Sequence, residues 1–267
     1  MSIEFVTPRE LVDSMPIEKG DIVLLASDVK KIALGALKAK EKFDFQLLIN
    51  LVQDKIGETG TLLFPTYNWG FCQGKTFYYR ETKSATGSLS QLALERKDFI
   101  RTKHAFYNFA VWGKDARLLY EMDDHNSFVG NTPFCYLHNA QNAKMLSIDV
   151  NLTHCLTFVH YVEECNKAPY RFKKVFVSDY ADEEGKVEQR SYSMYVRDLD
   201  INGIVDFSKL EELLLQKGLL YRKNVNYSMV RCVRFKDVYR EVEEDIKNNM
   251  ARSIVQIDEN VRKQIFS

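Results

Sequence analysis

The chain has 267 residues, long enough for one large core or for a domain with a smaller appendage. Its 37 Lys+Arg and 37 Asp+Glu cancel, so no global field points to nucleic acid or to a polycationic ligand. No apolar run reaches membrane-spanning length and the start MSIEFVTPRELV has no signal-peptide layout, so neither a membrane nor nucleic acid is expected as a partner.

In chain order, Thr7-Pro8-Arg9-Glu10 reads as a helix start, with Thr7 as N-cap, Pro8 in the first turn and Glu10 closing a capping box. That helix should stop near Met15-Pro16, because a residue before proline is pushed out of helical space. Ile22-Val23-Leu24-Leu25-Ala26 is a short continuous apolar run of the kind found in buried parallel strands. Lys30, Lys31, Lys38, Lys40 and Lys42 then crowd a segment that reads mainly as a solvated loop, with room for one or two of them to meet phosphates. A helix from about Phe43 to Ile56 carries Phe45, Leu47, Leu48, Leu51, Val52 and Ile56 as its apolar stripe. Gly57-Glu58-Thr59-Gly60 ends it, and Thr61-Leu62-Leu63-Phe64-Pro65 is a second buried strand. Strand, helix, strand makes a parallel crossover unit and hence an α/β core. Ligands in such folds collect beyond the carboxyl ends of the strands, here at Ser27-Asp28 and at Pro65-Thr66-Tyr67-Asn68-Trp69.

Further along, Thr157-Phe158-Val159-His160-Tyr161-Val162-Glu163-Glu164 has no Gly or Pro, and its apolar positions fit a helix about as well as a strand. As a helix it sets Thr157, His160 and Glu163 three residues apart on one face, with Glu164 also within reach of the ring. A carboxylate that fixes the tautomer of an imidazole leaves the other ring nitrogen to act as a general base. On spacing alone, the commoner outcome is a helix-surface His–Glu pair worth a few tenths of a kcal/mol. Cys72, Cys135, Cys155, Cys165 and Cys232 form no CxxC pair and are odd in number, which favours reduced thiols in a cytoplasmic protein over disulfides or a zinc site. Cys155 and Cys165 stand five residues from His160 on either side, off its helical face, so a Cys-His acyl-enzyme dyad is disfavoured; no grouping has metal-ligand spacing, and no metal is expected. His125 lies in a polar loop that reads as a surface turn or a pocket wall, and His138 and His154 read as structural or exposed.

After Ala168-Pro169-Tyr170-Arg171, Lys174-Val175-Phe176-Val177 and Tyr192-Ser193-Met194-Tyr195-Val196 alternate around the polar turn Asp182–Lys186 and read as an antiparallel hairpin. A helix from Phe207 to about Lys217 is stopped by Gly218. Tyr227 to Phe235 is a further strand and Lys236 to Asn248 a last helix. The expected fold is α/β, a mixed sheet with a parallel crossover N-terminal core and an antiparallel β layer plus helices in the C-terminal part. One domain is expected over 1–267, residues 1–172 forming the α/β core that carries the motifs and 173–267 an α+β C-terminal part.

Gly60-Thr61-Leu62-Leu63-Phe64-Pro65-Thr66 resembles the GTL-xx-PT signature of the aminoglycoside 3-N-acetyltransferase family, which is unrelated to the GNAT acetyltransferases. Ser84-Ala85-Thr86-Gly87-Ser88-Leu89, Arg101-Thr102-Lys103-His104, Phe109-Ala110-Val111-Trp112-Gly113 and Ser127-Phe128-Val129-Gly130-Asn131-Thr132-Pro133-Phe134 continue the family's blocks in order. Thr157-xx-His160-xx-Glu163 is similar to its T-xx-H-xx-E, whose histidine is the proposed base. The resemblance implies an acyl-CoA-dependent N-acyltransferase acting on an amino sugar, with acetyl-CoA or another acyl-CoA as co-substrate and His160, Glu163 and Thr157 as catalytic residues. It implies CoA contacts at Ser27, Asp28, Val29, Lys30, Thr66 and Thr86, and acceptor contacts at Tyr67, Asn68, Trp69, Arg101, His104 and His125; His104 reads equally as a structural residue. It admits a homodimer.

The chain departs from the family where Leu25-Ala26-Ser27-Asp28-Val29 replaces the usual His-Ser-Ser-Leu, where Gly35 stands alone for a Gly-Gly, and where Ala105 follows His104 in place of proline. These differences, with Phe64–Cys72, Arg101–His104, Thr157–Glu164 and Tyr192–Leu199, resemble members encoded with surface-polysaccharide genes, which implies a nucleotide-linked deoxyamino sugar as acceptor. An aminoglycoside 3-N-acetyltransferase is the alternative and calls for an acidic acceptor side, of which Asp123-Asp124 is a modest sign. A non-catalytic CoA- or sugar-binding protein would not need His160 and Glu163 together.

Overall fold

The capping box forms as the sequence implies. Thr7 Oγ1 accepts from the Glu10 amide at 3.2 Å, Glu10 Oε2 accepts from the Thr7 amide at 2.8 Å, and Pro8 opens the helix Pro8–Asp13. The computed structural model describes residues 5–225 and 227–267; positions 1–4 of the start that has no signal-peptide layout lie outside the described residues.

The strands Ile22–Ser27 and Thr61–Pro65 are parallel neighbours, connected through the helix Phe45–Ile56, whose N-cap Asp44 accepts from the Leu47 amide. The segment between the first strand and that helix is not a loop: Lys30–Ala39 is helical. Ala, Leu and Lys are strong helix formers, Asp28 Oδ1 accepts from the Lys30 amide at the start, and Ile32 and Ala36, four apart, are buried. The lysines stay on its outer side, as expected of solvated residues, and Lys31 reaches Asp149 Oδ1 at 3.3 Å.

A third parallel strand, Ala143–Ile148, lies on the other side of Ile22–Ser27. Antiparallel strands complete both flanks, giving a seven-stranded sheet in the order Leu220–Val225, Ser228–Arg234, Ala143–Ile148, Ile22–Ser27, Thr61–Pro65, Phe109–Gly113, Ile100–Arg101. The α/β class with a mixed sheet is as the sequence predicts. The placement of Ser228–Arg234 is different: it joins the sheet begun near the N-terminus instead of a C-terminal layer, because it pairs with Ala143–Ile148 from Val230↔Ile148 to Arg234↔Lys144. Alternation identifies a strand but not its neighbour.

One face of the sheet buries Val23, Leu25, Leu62, Phe64 and Leu146 under the N-terminal helices. The other buries Leu24, Leu63, Phe109 and Met145 under the helices Pro133–Asn139, Phe158–Cys165, Ser208–Gln216 and Phe235–Asn249. The predicted hairpin forms as two strands, Arg171–Ala181 and Val187–Arg197, and stands apart from the large sheet, with Phe77–Tyr78 alongside it. Its base meets the end of Phe158–Cys165, where Tyr195 donates to the Ala168 carbonyl. Among the described residues no helix is long and apolar enough to cross a membrane.

Candidate active site

A cavity of about 430 Å³ opens at the carboxyl ends of the parallel strands. Ser27, Asp28, Val29 and Lys30 form one wall, Pro65, Tyr67 and Trp69 a second, Thr86, Gly87 and Ser88 a third, and Val150, His154, Cys155 and Thr157 a fourth. Gly87 holds φ +100°, and a Cβ there would stand 3.1 Å from the Ser27 carbonyl oxygen, so glycine is what lets the third wall approach the first strand. Thr86 Oγ1 donates to the Pro65 carbonyl and ties that wall to the second strand.

Thr157, which lines the fourth wall, is the N-cap of the helix Phe158–Cys165 that carries His160 and Glu163. Phe158, Val159, Tyr161 and Val162 are buried against the sheet, which turns His160 and Glu163 toward the hairpin base. Thr157 makes no capping bond, and it lines the cavity together with the buried Tyr67. His160 follows one turn on, about 4.5 Å along the axis. His160 Nδ1 lies 2.7 Å from Glu163 Oε2, and the imidazole, 21 % exposed, has the rings of Phe128 and Phe207 at centroid distances of 5.8 and 6.5 Å. The sequence-predicted pair is therefore a partly buried dyad, not a surface contact.

Glu163 is 1 % exposed. Burial pushes its carboxyl pKa up, but Arg171, His160 and the Tyr170 hydroxyl outweigh that and hold it at about 2. Tyr170 donates to Oε1 at 2.8 Å, while Arg171 Nε stands 2.7 Å from Oε2. Nδ1 faces both a carboxylate oxygen, which only accepts, and Arg171 Nη2 at 3.0 Å, which only donates; with its proton directed to the nearer Glu163 oxygen, Nε2 keeps its lone pair. Burial and Arg171 lower the His160 pKa against the raising effect of Glu163, so the ring is neutral near pH 7. Glu164 is not on the ring: it accepts from Asn126 Nδ2 at 3.3 Å and pairs with Lys173 at 3.3 Å.

Ser27, Asp28, Val29, Lys30, Thr86, Tyr67, Trp69 and Thr157 thus share one cavity, with His160 and Glu163 one to two turns beyond it. The others lie elsewhere. Thr66 donates to Asn108 Oδ1 at 2.6 Å in the interior. Asn68 donates to the Lys83 carbonyl and accepts from the Gly70 amide. Arg101 is buried, donating to Asn108, Tyr79 and Thr82. His104 is buried and accepts from the amides of Phe106 and Tyr107, with a pKa pushed down to about 3 by burial and by His125. His125 is exposed and stacks on Tyr192 at 4.8 Å. Sequence reasoning missed His154 and Cys155 in the cavity wall, and Tyr170 and Arg171 behind Glu163. The Tyr170-Arg171 step sits at a helix-to-strand junction, where no periodicity marks it. Burial pushes the Cys155 thiol up to about 12, leaving little thiolate at neutral pH. Among the described residues no group of three or more His, Cys, Asp or Glu is arranged to hold a metal ion.

The sequence profile described as aminoglycoside 3-N-acetyltransferase matches residues 27–247. No curated protein matches the sequence. Among solved structures, the fold is similar to AAC-IIIb in a binary complex with CoASH (TM-score 0.76, 14 % identity, covering 92 % of this chain and 98 % of that one). It is also similar to YokD from Bacillus subtilis (0.72, 15 %, 90 % and 99 %) and to AAC-VIa bound to sisomicin (0.69, 17 %, 92 % and 99 %). At such identities these likenesses speak for the fold.

Proposed function

This chain belongs to the aminoglycoside 3-N-acetyltransferase family, and from that premise we propose that it transfers an acyl group from acyl-CoA to the amine of a nucleotide-linked deoxyamino sugar, with His160 as general base. The family's chemistry makes it an N-acyltransferase with an acyl-CoA co-substrate. The observation that carries the reading is the Glu163–His160 contact of 2.7 Å, one turn beyond a threonine that lines a strand-end cavity.

A protonated amine is not nucleophilic, so the acceptor reacts as the free amine, its ammonium proton released to solvent, and the nitrogen then sheds a second proton as it bonds to the thioester carbonyl carbon. His160 Nε2 takes that proton while Glu163 offsets the charge appearing on the ring. The new C–N bond forms, the carbonyl oxygen becomes an oxyanion near the Thr157 hydroxyl, and collapse breaks the C–S bond to release CoA thiolate, which the imidazolium can protonate. Direct transfer requires both substrates bound together. Initial-velocity plots are expected to intersect; parallel lines, or acyl label left on Cys155 after the thioester is removed, would replace this with a two-step route.

The acceptor rests on the subgroup resemblance and the charge balance. Asp123 and Asp124, the modest acidic sign of an aminoglycoside site, have partners within the fold: Asp123, at the surface, pairs with Arg190 at 3.6 Å, and Asp124 accepts from the amides of Asn126 and Asn131. The hairpin base presents Phe172, 47 % exposed, beside Lys174 and Arg197, a flat face of the kind a base requires, but Asp198 and Asp200 share that hollow and balance the two cations, so it offers no net positive charge to a diphosphate. Asn68 and Arg101, already bonded within the fold, are not free for that purpose. The test is a side-by-side rate comparison with acetyl-CoA, using nucleotide-linked amino sugars against sisomicin and gentamicin-type aminoglycosides. Faster transfer to a sugar nucleotide is expected. Efficient transfer to the antibiotics alone would overturn the acceptor and leave the family-level activity.

A further inference from the structure

Arg171 has no place in the motif resemblance, yet it touches both members of the catalytic pair. It opens the strand Arg171–Ala181, and its side chain is 6 % exposed. Nη1 donates to the Tyr195 carbonyl on the paired strand at 3.2 Å, which anchors the guanidinium to the hairpin. From that anchor, Nε stands 2.7 Å from Glu163 Oε2 and Nη2 3.0 Å from His160 Nδ1. One carboxylate oxygen is therefore shared between the ring and the guanidinium, and Tyr170 holds the other at 2.8 Å.

We propose that Arg171 is a positioning residue for the transfer, fixing the Glu163 carboxylate against the imidazole and opposing protonation of His160 from the hairpin side. The proposal rests on His160 as the base. Two groups compete for Nδ1, and the carboxylate at 2.7 Å demands a proton there, because an unprotonated Nδ1 would set two lone pairs against each other. Arg171 Nη2 has the geometry to donate to Nδ1, but once Nδ1 carries the proton the contact is that of a cation held against the ring. When Nε2 gains a proton, the ring becomes a second cation 3.0 Å from the first. Glu163 makes that step possible and Arg171 keeps it from happening early, before an acceptor amine supplies the proton.

The other groups facing the ring act in known directions. On its own helix Glu163 raises the proton affinity; from the hairpin Arg171 and, more weakly, Arg197 lower it, Arg197 being tied to the Gly203 carbonyl. Phe128 and Phe207 add burial without charge. Arg171 is thus the first cation to remove.

The test uses Arg171→Met and Arg171→Lys in the full chain. The His160 ring pKa is read by NMR titration of labelled histidine, assigned with His160→Asn, and kcat/KM is followed against pH. Arg171→Met is expected to raise the ring pKa by about one unit or more, a tenfold gain in proton affinity, and to move the acidic limb of the rate profile up by the same amount. Arg171→Lys is expected to restore most of the shift, and KM for acetyl-CoA to stay near wild type. Should the uncompensated carboxylate unfold Arg171→Met, the double variant Arg171→Met/Glu163→Gln is compared with Glu163→Gln alone, and the same upward shift is expected between them. An unmoved ring pKa in a folded variant would overturn the proposal and reduce Arg171 to a brace for the hairpin. If the ring pKa rises while His160→Asn retains turnover, the action of Arg171 on the ring stands and the base assignment is what fails.

Discussion

Replacing His160 with Asn is expected to lower kcat by about two to four orders of magnitude, the usual worth of a positioned general base, with CoA affinity nearly unchanged. Asn keeps a polar side chain of similar reach but cannot take a proton. The ring is not among the residues that line the cavity, so CoA contacts should survive its loss. Turnover at saturating substrates and CoA binding by calorimetry separate the two effects. Turnover near wild type would remove His160 from the mechanism. A loss confined to CoA affinity would instead make the ring part of the cofactor site.

The parts of this arrangement that were readable in the chain share a physical character: each is local. The capping box of Thr7 and Glu10, the continuous apolar strands and the threefold spacing of Thr157, His160 and Glu163 are all written within a few residues of sequence. What the sequence left unread depends on partners far away along the chain. Ala143–Ile148, a central strand, carries Lys144 and Ser147 inside its run, which breaks the apolar signature of a buried strand. In the fold Lys144 Nζ meets Asp21 Oδ2 at 2.7 Å and Ser147 donates to the Val150 carbonyl, so both polar groups are satisfied where no periodicity could foretell it. Ser228–Arg234 was legible as a strand but not as a neighbour of Ala143–Ile148. The family blocks likewise mark Thr66, Arg101 and His104 without separating residues that line a cavity from residues that brace it. Here Thr66 and Arg101 converge on Asn108, and His104 receives two backbone amides, which are bracing roles.

Glu163→Gln should cost the protein both stability and rate, and the two losses carry different pH signatures. Gln keeps the shape of the side chain but removes the counter-charge of Arg171, whose guanidinium is 6 % exposed. Breaking a buried ion pair from one side typically costs about 3–5 kcal/mol. The Glu163 carboxyl sits at about 2 in the fold against 4.5 for an ordinary glutamate, so its stabilising contribution is complete above pH 4.5 and is lost as the pH falls toward 2. That depression corresponds to about 3 kcal/mol. His160, with its pKa lowered from 6.5, likewise favours the fold at higher pH and opposes it increasingly as the pH falls below 6.5. Urea denaturation at pH 7 is therefore expected to show Glu163→Gln less stable by several kcal/mol, with the gap to wild type closing between pH 4.5 and 2. Its kcat is expected to fall by about tenfold or more, and the acidic limb of its rate profile to move to lower pH, because the charge that favours the imidazolium is gone. This is opposite in sign to the shift expected for Arg171→Met, so the two variants bracket the ring from its two sides. Glu164→Gln is the control: its carboxylate serves Asn126 and Lys173, and the limb should stay where it is. A limb that moves with Glu164 and not with Glu163 would mean that the 2.7 Å contact is not the one that governs the base.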